Sequence, residues 1–210
     1  MPSALVILSP GFEEVEAITV IDLLRRASIK VTTAGLTGTL ITGSHDISVT
    51  ADAELSKVIH TNFDILILPG GQPGTNNMKI NPTILKWVKE RHSKKNLIAA
   101  ICAAPTVLHA AGITYNLKLT SYPAEKKTFT NSIYSEDNVV IDNHIITSRG
   151  VGTAIDFSLA IIAKLLDQSI ADDIKSKVVY KNAGRWDHRE KNLNFVFCVA
   201  NMLLNYRWCF

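Results

Sequence analysis

The chain has 210 residues, 47% of them apolar and 20% charged, with a formal net charge of +3. That length suits one large α/β domain that buries its own core, the composition excludes a disordered chain, and so small a charge gives no strong nucleic-acid signal. The charge is also uneven: Arg185, Arg189, Lys191 and Arg207 against Asp187 and Glu190 leave the last stretch at +2 and everything before it at +1.

Ala4 to Leu8 is an all-apolar run, the pattern of a buried strand, and Pro10-Gly11 closes it. The period then changes to Val15, Ile18, Ile21 and Leu24, which predicts a helix from Glu13 to about Ser28. Three acids, Glu13, Glu14 and Glu16, open that helix. Each alone is explained by the helix dipole, but three exceed that need, and Glu13 and Glu16 share a face that can point into the crevice where α/β folds place ligands. Lys30 to Ala34 is a second strand, Thr39 to Ile41 and Ile47 to Thr50 a small antiparallel excursion, and Leu55 to Ile59 a short helix. Asp64 to Leu68 is another buried strand, ending in the glycine-rich loop Pro69 to Asn77. That loop matches neither nucleotide-binding fingerprint, which leaves donation to an oxyanion by the Gly70 and Gly71 backbone, or a plain turn. Pro82 to about Lys94 is an amphipathic helix.

Leu97 to Ile101 is again wholly apolar, and it stops at Cys102, with Pro105 suited to the first turn of a short helix capped near Gly112. A cysteine at the carboxyl end of a central strand, beside free N–H groups, is placed as a nucleophile, and the helix dipole is expected to lower its pKa. The plain alternative is a small buried hydrophobe. Further on come Lys118 to Thr120, a polar helix-like stretch from Ala124 to Lys127, and a hairpin of Val139 to Ile141 and His144 to Thr147 around Asp142-Asn143. Ser148 to Thr153 leads into an apolar helix from Ala154 to about Leu166, and Ser169 with Asp172 has capping-box spacing for a last helix to about Val179.

The alternation of strands and helices argues a mostly parallel sheet with helices on both faces and a short antiparallel hairpin. Residues 1–182 make that α/β domain, and residues 183–210 are a C-terminal extension. In the extension Leu193, Val196, Phe197, Ala200, Leu203 and Leu204 recur at helical spacing, while asparagines exclude a membrane span. Docking on the domain, an oligomer interface, a membrane surface or a non-native extension all fit this tail. Cys102, Cys198 and Cys209 show no disulfide or zinc spacing, so no metal is expected. No cleavable leader precedes Ser9, and the expected location is the cytoplasm.

Gly11 to Ala17, Leu68 to Gly71, Ala99 to Pro105 and Thr147 to Thr153 together resemble the signatures of the ThiJ/PfpI superfamily, in its Parkinson disease protein 7 and YajL-like branch. The resemblance runs from Ser3 to about Tyr180 and does not cover the tail. It implies a flavodoxin-like homodimer without metal or organic cofactor. It makes Cys102 the nucleophile and oxidation-sensitive thiol and Glu16 the carboxyl that hydrogen-bonds it. Gly71 and Ala103 match the backbone donors, while Glu13, Asp22 and Arg26 match polar positions near the dimer contact and pocket. Tyr122 stands where some members carry a histidine, which removes a Cys-His dyad; Arg149 is a further pocket residue, and His45 replaces a common arginine. The implied chemistry is conversion of 2-oxoaldehydes without glutathione, and deglycation of their adducts on protein or nucleotide. A redox-sensing chaperone for unfolded clients, whose cysteine becomes a sulfinate, is the alternative. A PfpI-like peptidase and an amidotransferase-like hydrolase using His188 are weaker alternatives.

Overall fold

A computed structural model of the chain describes residues 1–181. The expected amphipathic tail, and His188 with it, lie outside the described residues. Met1–Val179 form one unit. The elements are β1 (Ser3–Leu8), α1 (Glu14–Arg26), β2 (Lys30–Gly35), β3 (Leu40–Thr42), β4 (Ser48–Thr50), β5 (Ala53–Glu54), α2 (Leu55–Val58), β6 (Ile65–Leu68), α3 (Gly74–Lys79), α4 (Pro82–Ser93), β7 (Leu97–Ile101), α5 (Pro105–Ala110), β8 (Lys118–Leu119), β9 (Ile133–Tyr134), β10 (Val139–Asp142), β11 (Ile145–Ser148), α6 (Ala154–Leu165) and α7 (Gln168–Lys177).

The main sheet runs β10-β11-β7-β6-β1-β2-β5, parallel throughout except for β10, which pairs antiparallel with β11. This is a flavodoxin-like arrangement. The chain winds outward from β1 to β2 and later returns to β6 on the other side of β1. The carboxyl ends of β1 and β6 therefore flank the switch point, the crevice where such sheets hold ligands.

Each central strand has apolar side chains on both faces because both faces are covered. Val6, Leu8, Ile67 and Ile101 pack with Val20 and Leu24 of α1, Phe157 and Ile161 of α6 and Ile174 of α7. Leu5, Ile7, Leu66 and Leu68 pack with Ile84 and Val88 of α4 and Val107 and Leu108 of α5. Each such fully buried side chain contributes about 1.5–3 kcal/mol.

The structure departs from the sequence reading at several places, among them the unforeseen two-residue edge strand β5, which pairs with β2. Gly74–Lys79, read only as loop, is helical: Gly-Thr-Asn-Asn has weak helix propensity, but Met78 is buried in the core and Thr75 is buried beside it. The two-residue β9 pairs with β8, too short to show any alternation. The hairpin turn is shifted by one residue. Asp142 pairs with Ile145, so Asn143 and His144 turn the chain, and Asn143 takes the left-handed conformation (φ 56°) that asparagine tolerates. Finally, α7 is capped by Asp167, whose Oδ1 accepts the Ile170 N–H (2.9 Å) and the Ser169 hydroxyl (2.6 Å). Asp167→Ala is accordingly expected to lower the urea midpoint of unfolding, whereas Ser169→Ala lowers it less. Among the described residues no helix is long and apolar enough to cross a membrane.

Candidate active site

Three strand ends and the helix start that follows β1 build the site. After β7 the backbone turns at Cys102 in the left-handed region, φ 64°. That conformation costs a non-glycine residue roughly 1–2 kcal/mol and aims the side chain out of the sheet. It is held on both sides. The Cys102 N–H donates to the Ser148 carbonyl at the end of β11 (2.9 Å), and the Cys102 carbonyl accepts the Tyr122 N–H (2.7 Å).

Facing the thiol is Glu16 in the first turn of α1, a carboxyl with 0% exposure. Its Oε2 accepts the Gly70 N–H at 2.9 Å. Its Oε1 is buried without a hydrogen-bond partner of its own. Burial pushes the carboxyl up to about 7; hydrogen bonding with Cys102 and Gly70 works against that, and the charge of Glu13 adds to it. The Cys102 thiol is pushed up to about 12, by burial first and then by the charge and hydrogen bonding of Glu16. A lowering is expected from the sequence, and burial of the sulfur acts against it. The helix that follows is a short one of six residues, and burial of the sulfur, followed by the charge of Glu16, acts in the raising direction. The Ala103 and Gly71 N–H groups do face the sulfur, and they act in the lowering direction.

The Pro69–Asn77 loop fits because it lacks side chains at the contact. A Cβ on Gly70 would lie 2.6 Å from Cys102 Cβ and 2.7 Å from Glu16 Oε2. Gly71 has φ 93°, and a Cβ there would run into the Glu13 backbone nitrogen. The Gly70 carbonyl accepts the Glu13 N–H (2.9 Å), which ties the loop to the start of α1. With its N–H bound to Glu16, Gly70 positions the carboxyl and has no donor to offer a ligand. Gly70→Ala should therefore separate Cys102 from Glu16; cysteine alkylation kinetics and turnover are expected to change together, whatever the loss of stability.

The remaining sequence-selected residues divide. Tyr122 is beside the site, its ring close to Gly150. Arg149 precedes Gly150, but its guanidinium donates to the Glu136 carbonyl (2.7 Å) on the outer surface. Glu13 bears on Glu16 through its charge and itself faces Ser44 and His45. Arg26 is not in this pocket. It lies ten residues along α1 from Glu16, about 15 Å away at the helical rise, paired with Asp22 (2.7 Å) in a cleft lined by Ile18, Ile155 and Lys177. His109 on α5 bonds Thr114 Oγ1 (3.1 Å) and stands edge-on to Phe129. Gly150 was missing from the sequence-selected set. A Cβ there would sit 3.8 Å from Cys102 Sγ, from Glu16 Oε1 and from the Tyr122 ring alike, so this glycine leaves room at the one point facing all three. Its signal is position: it follows β11 as Gly70 follows β6 and Cys102 follows β7.

A flavodoxin-like sheet with a cysteine on a strand-to-helix elbow, a buried glutamic acid against the sulfur and two backbone donors defines a class of cysteine-centred α/β proteins. Within that class, the chain belongs to the DJ-1/PfpI family, whose pattern matches residues 2–164. It is 43% identical to Protein dj-1beta of Drosophila melanogaster over 175 residues, 82% of this chain and 94% of that one. The crystal structure of Drosophila melanogaster DJ-1beta superposes with a TM-score of 0.84 and 42% identity, over 86% of this chain and 99% of the other. A Caenorhabditis elegans protein named glutathione-independent glyoxalase DJR-1.2 is 38% identical over 165 residues, 78% of this chain and 88% of that one.

Proposed function

We propose that the protein converts small 2-oxoaldehydes such as methylglyoxal to 2-hydroxy acids without glutathione, and releases the same groups from glycated protein or nucleotide. The observation that carries this reading is the buried Glu16 carboxyl set against the Cys102 sulfur, with no side chain at Gly150 on the side that faces both. A carboxyl pushed up to about 7 and in contact with the thiol can take and return its proton near neutral pH. The kinship with the C. elegans glyoxalase supports the same reading.

In this mechanism ionised Glu16 takes the thiol proton as the sulfur attacks the aldehyde carbon. The carbonyl electron pair moves onto oxygen, and the Gly71 and Ala103 N–H groups stabilise that oxyanion, each typically worth about 2.7–4 kcal/mol. Glu16 returns the proton to give a hemithioacetal. The carboxylate next removes the hydrogen from the former aldehyde carbon, and protonation at the neighbouring carbon gives the hydroxy-acid thioester. One carbon is oxidised and its neighbour reduced, so no external redox partner is required. Water cleaves the thioester and restores the thiol. No imidazole enters, in keeping with Tyr122 at the position before Pro123 and with His109 bonded elsewhere.

Purified full-length chain incubated with methylglyoxal alone should produce lactate in proportion to enzyme. If lactate forms no faster than in buffer, the reading fails. The reading includes a homodimer, for which the half-exposed Val15 and Ile18 on the outer face of α1 offer apolar contact.

The same donors favour one second reading. Two N–H groups at the sulfur and an acid that can be protonated near pH 7 would also hold the oxygens of a sulfinate. In that reading the protein is an oxidation sensor and chaperone for unfolded clients. Mild peroxide should then add about 32 Da at Cys102, an increment absent from Cys102→Ser.

A further inference from the structure

Apart from the thiol, the clearest convergence of ligand-type atoms lies where the β3–β4 hairpin meets the start of α1. Glu13, Glu14 and His45 each turn one ligand atom to a common point, all within 4.8 Å of one another. His45 Nδ1 is 3.0 Å from Glu14 Oε2 and 3.4 Å from Glu13 Oε2. Ser44 Oγ stands 3.2 Å from each of those two carboxylate oxygens and 3.1 Å from His45 Nδ1. Five of the six separations among these four donor atoms thus lie between 3.0 and 3.4 Å, and the two carboxylate oxygens lie within 4.8 Å of each other. A tetrahedral ion with bonds of 2.0–2.1 Å has ligand separations of about 3.3–3.4 Å.

Helix-end electrostatics do not account for the arrangement. Glu13 is the residue at the N-cap of α1, yet no side-chain cap bond forms there. Both carboxylates turn instead toward a hairpin some thirty residues later in the chain. Glu14 is 5% exposed, and its Oε1 is fixed by the His45 N–H at 2.7 Å, which leaves Oε2 aimed at the shared point. The hairpin is itself anchored, since the Ser44 N–H donates to the Phe12 carbonyl (2.8 Å) and the Gly11 N–H to the Thr42 carbonyl (2.8 Å). The basic group facing the two carboxylates in this cluster is the His45 imidazole, whose side chain is 68% exposed, so an incoming ion reaches the point from solvent and displaces any proton on Nδ1.

We infer that Glu13, Glu14, His45 and Ser44 form a binding site for a divalent cation of the zinc class, separate from Cys102, which clasps the β3–β4 hairpin to α1. The imidazole nitrogen is the borderline donor of the set and the close spacing of four ligand atoms suits a small tetrahedral ion, which together favour Zn²⁺ over Mg²⁺ or Ca²⁺.

The test is calorimetric titration of Zn²⁺ into the full chain, into His45→Arg and into Glu13→Gln. Arginine keeps a positive charge against both carboxylates, so that variant retains the local pairing while losing the metal ligand. Thiols and the remaining histidines are common to all three proteins. The expected result is one equivalent bound by the parent chain whose affinity falls at least about tenfold in both variants, with Zn²⁺ raising the melting temperature of the parent alone. Equal stoichiometry and affinity in parent and His45→Arg would overturn the assignment.

Discussion

Cys102→Ser is expected to lower turnover of methylglyoxal by about 10³-fold or more while the fold is kept. Serine preserves the size of the side chain, and the backbone at φ 64° is held by the Ser148 carbonyl and the Tyr122 N–H, neither of which involves the sulfur. What changes is the nucleophile. A hydroxyl is far harder to ionise than a thiol, and among the described residues no imidazole stands at the sulfur to assist it, His109 being engaged with Thr114. Lactate production in the parent and variant, with circular dichroism confirming equal folding, is the measurement. A serine variant that keeps the parent rate would show that the elbow residue is a bystander and that both the aldehyde chemistry and the sulfinate reading are misplaced.

Glu16→Gln should produce the second largest effect, and it should move two quantities in opposite directions. Turnover is expected to fall by about 10²–10⁴-fold, because an amide cannot accept the thiol proton or return it. In the parent chain, kcat/KM should rise through about pH 7 as the carboxyl ionises, and that limb should vanish in the variant. Stability should respond the other way. The folded-state value lies above the ordinary 4.5, so between 4.5 and 7 the unfolded chain is ionised while the folded one retains its proton. The folded state then binds more protons, and stability falls as pH rises across that window, by on the order of 3 kcal/mol once above it. Glutamine can still accept the Gly70 N–H and carries no buried charge. The variant should therefore be more stable than the parent at pH 8 and nearly equal at pH 4. Urea titrations at the two values decide the point, and a variant less stable at pH 8 would mean that the carboxylate is better compensated than its unpartnered oxygen implies.

Much of this site could be read before any coordinates, because its parts sit at strand ends and the strands are all-apolar runs. Ile65–Leu68 and Leu97–Ile101 are buried on both faces, so hydrophobicity alone marks where each stops, and Gly70 and Cys102 follow directly. Other features depend on packing that no local pattern records. The direction of the Cys102 shift follows from how deeply the sulfur and Glu16 are buried together, which a strand-end position in the sequence does not reveal. Gly150 has no side chain to attract notice, and its role is the space it leaves. Gly74–Lys79 is helical against its own propensity because Met78 is drawn into the core. Arg26 shares a helix with Glu16, yet distance along the axis removes it from the pocket. The Glu13, Glu14 and His45 cluster escapes any search for ligand spacing, since a hairpin brings its imidazole from a distant segment.

The way the elbow is pinned bears on how such a protein can diversify. Cys102 is fixed by main-chain bonds to neighbouring segments, and Gly70 locks Glu16 through its own main-chain N–H. Main-chain partners survive nearly any change of side chain. Mutations at Tyr122 or Gly150 can therefore reshape what the site admits while the sulfur and the acid stay in register. A lineage starting from this scaffold can explore new substrates one substitution at a time without first losing its reactive pair.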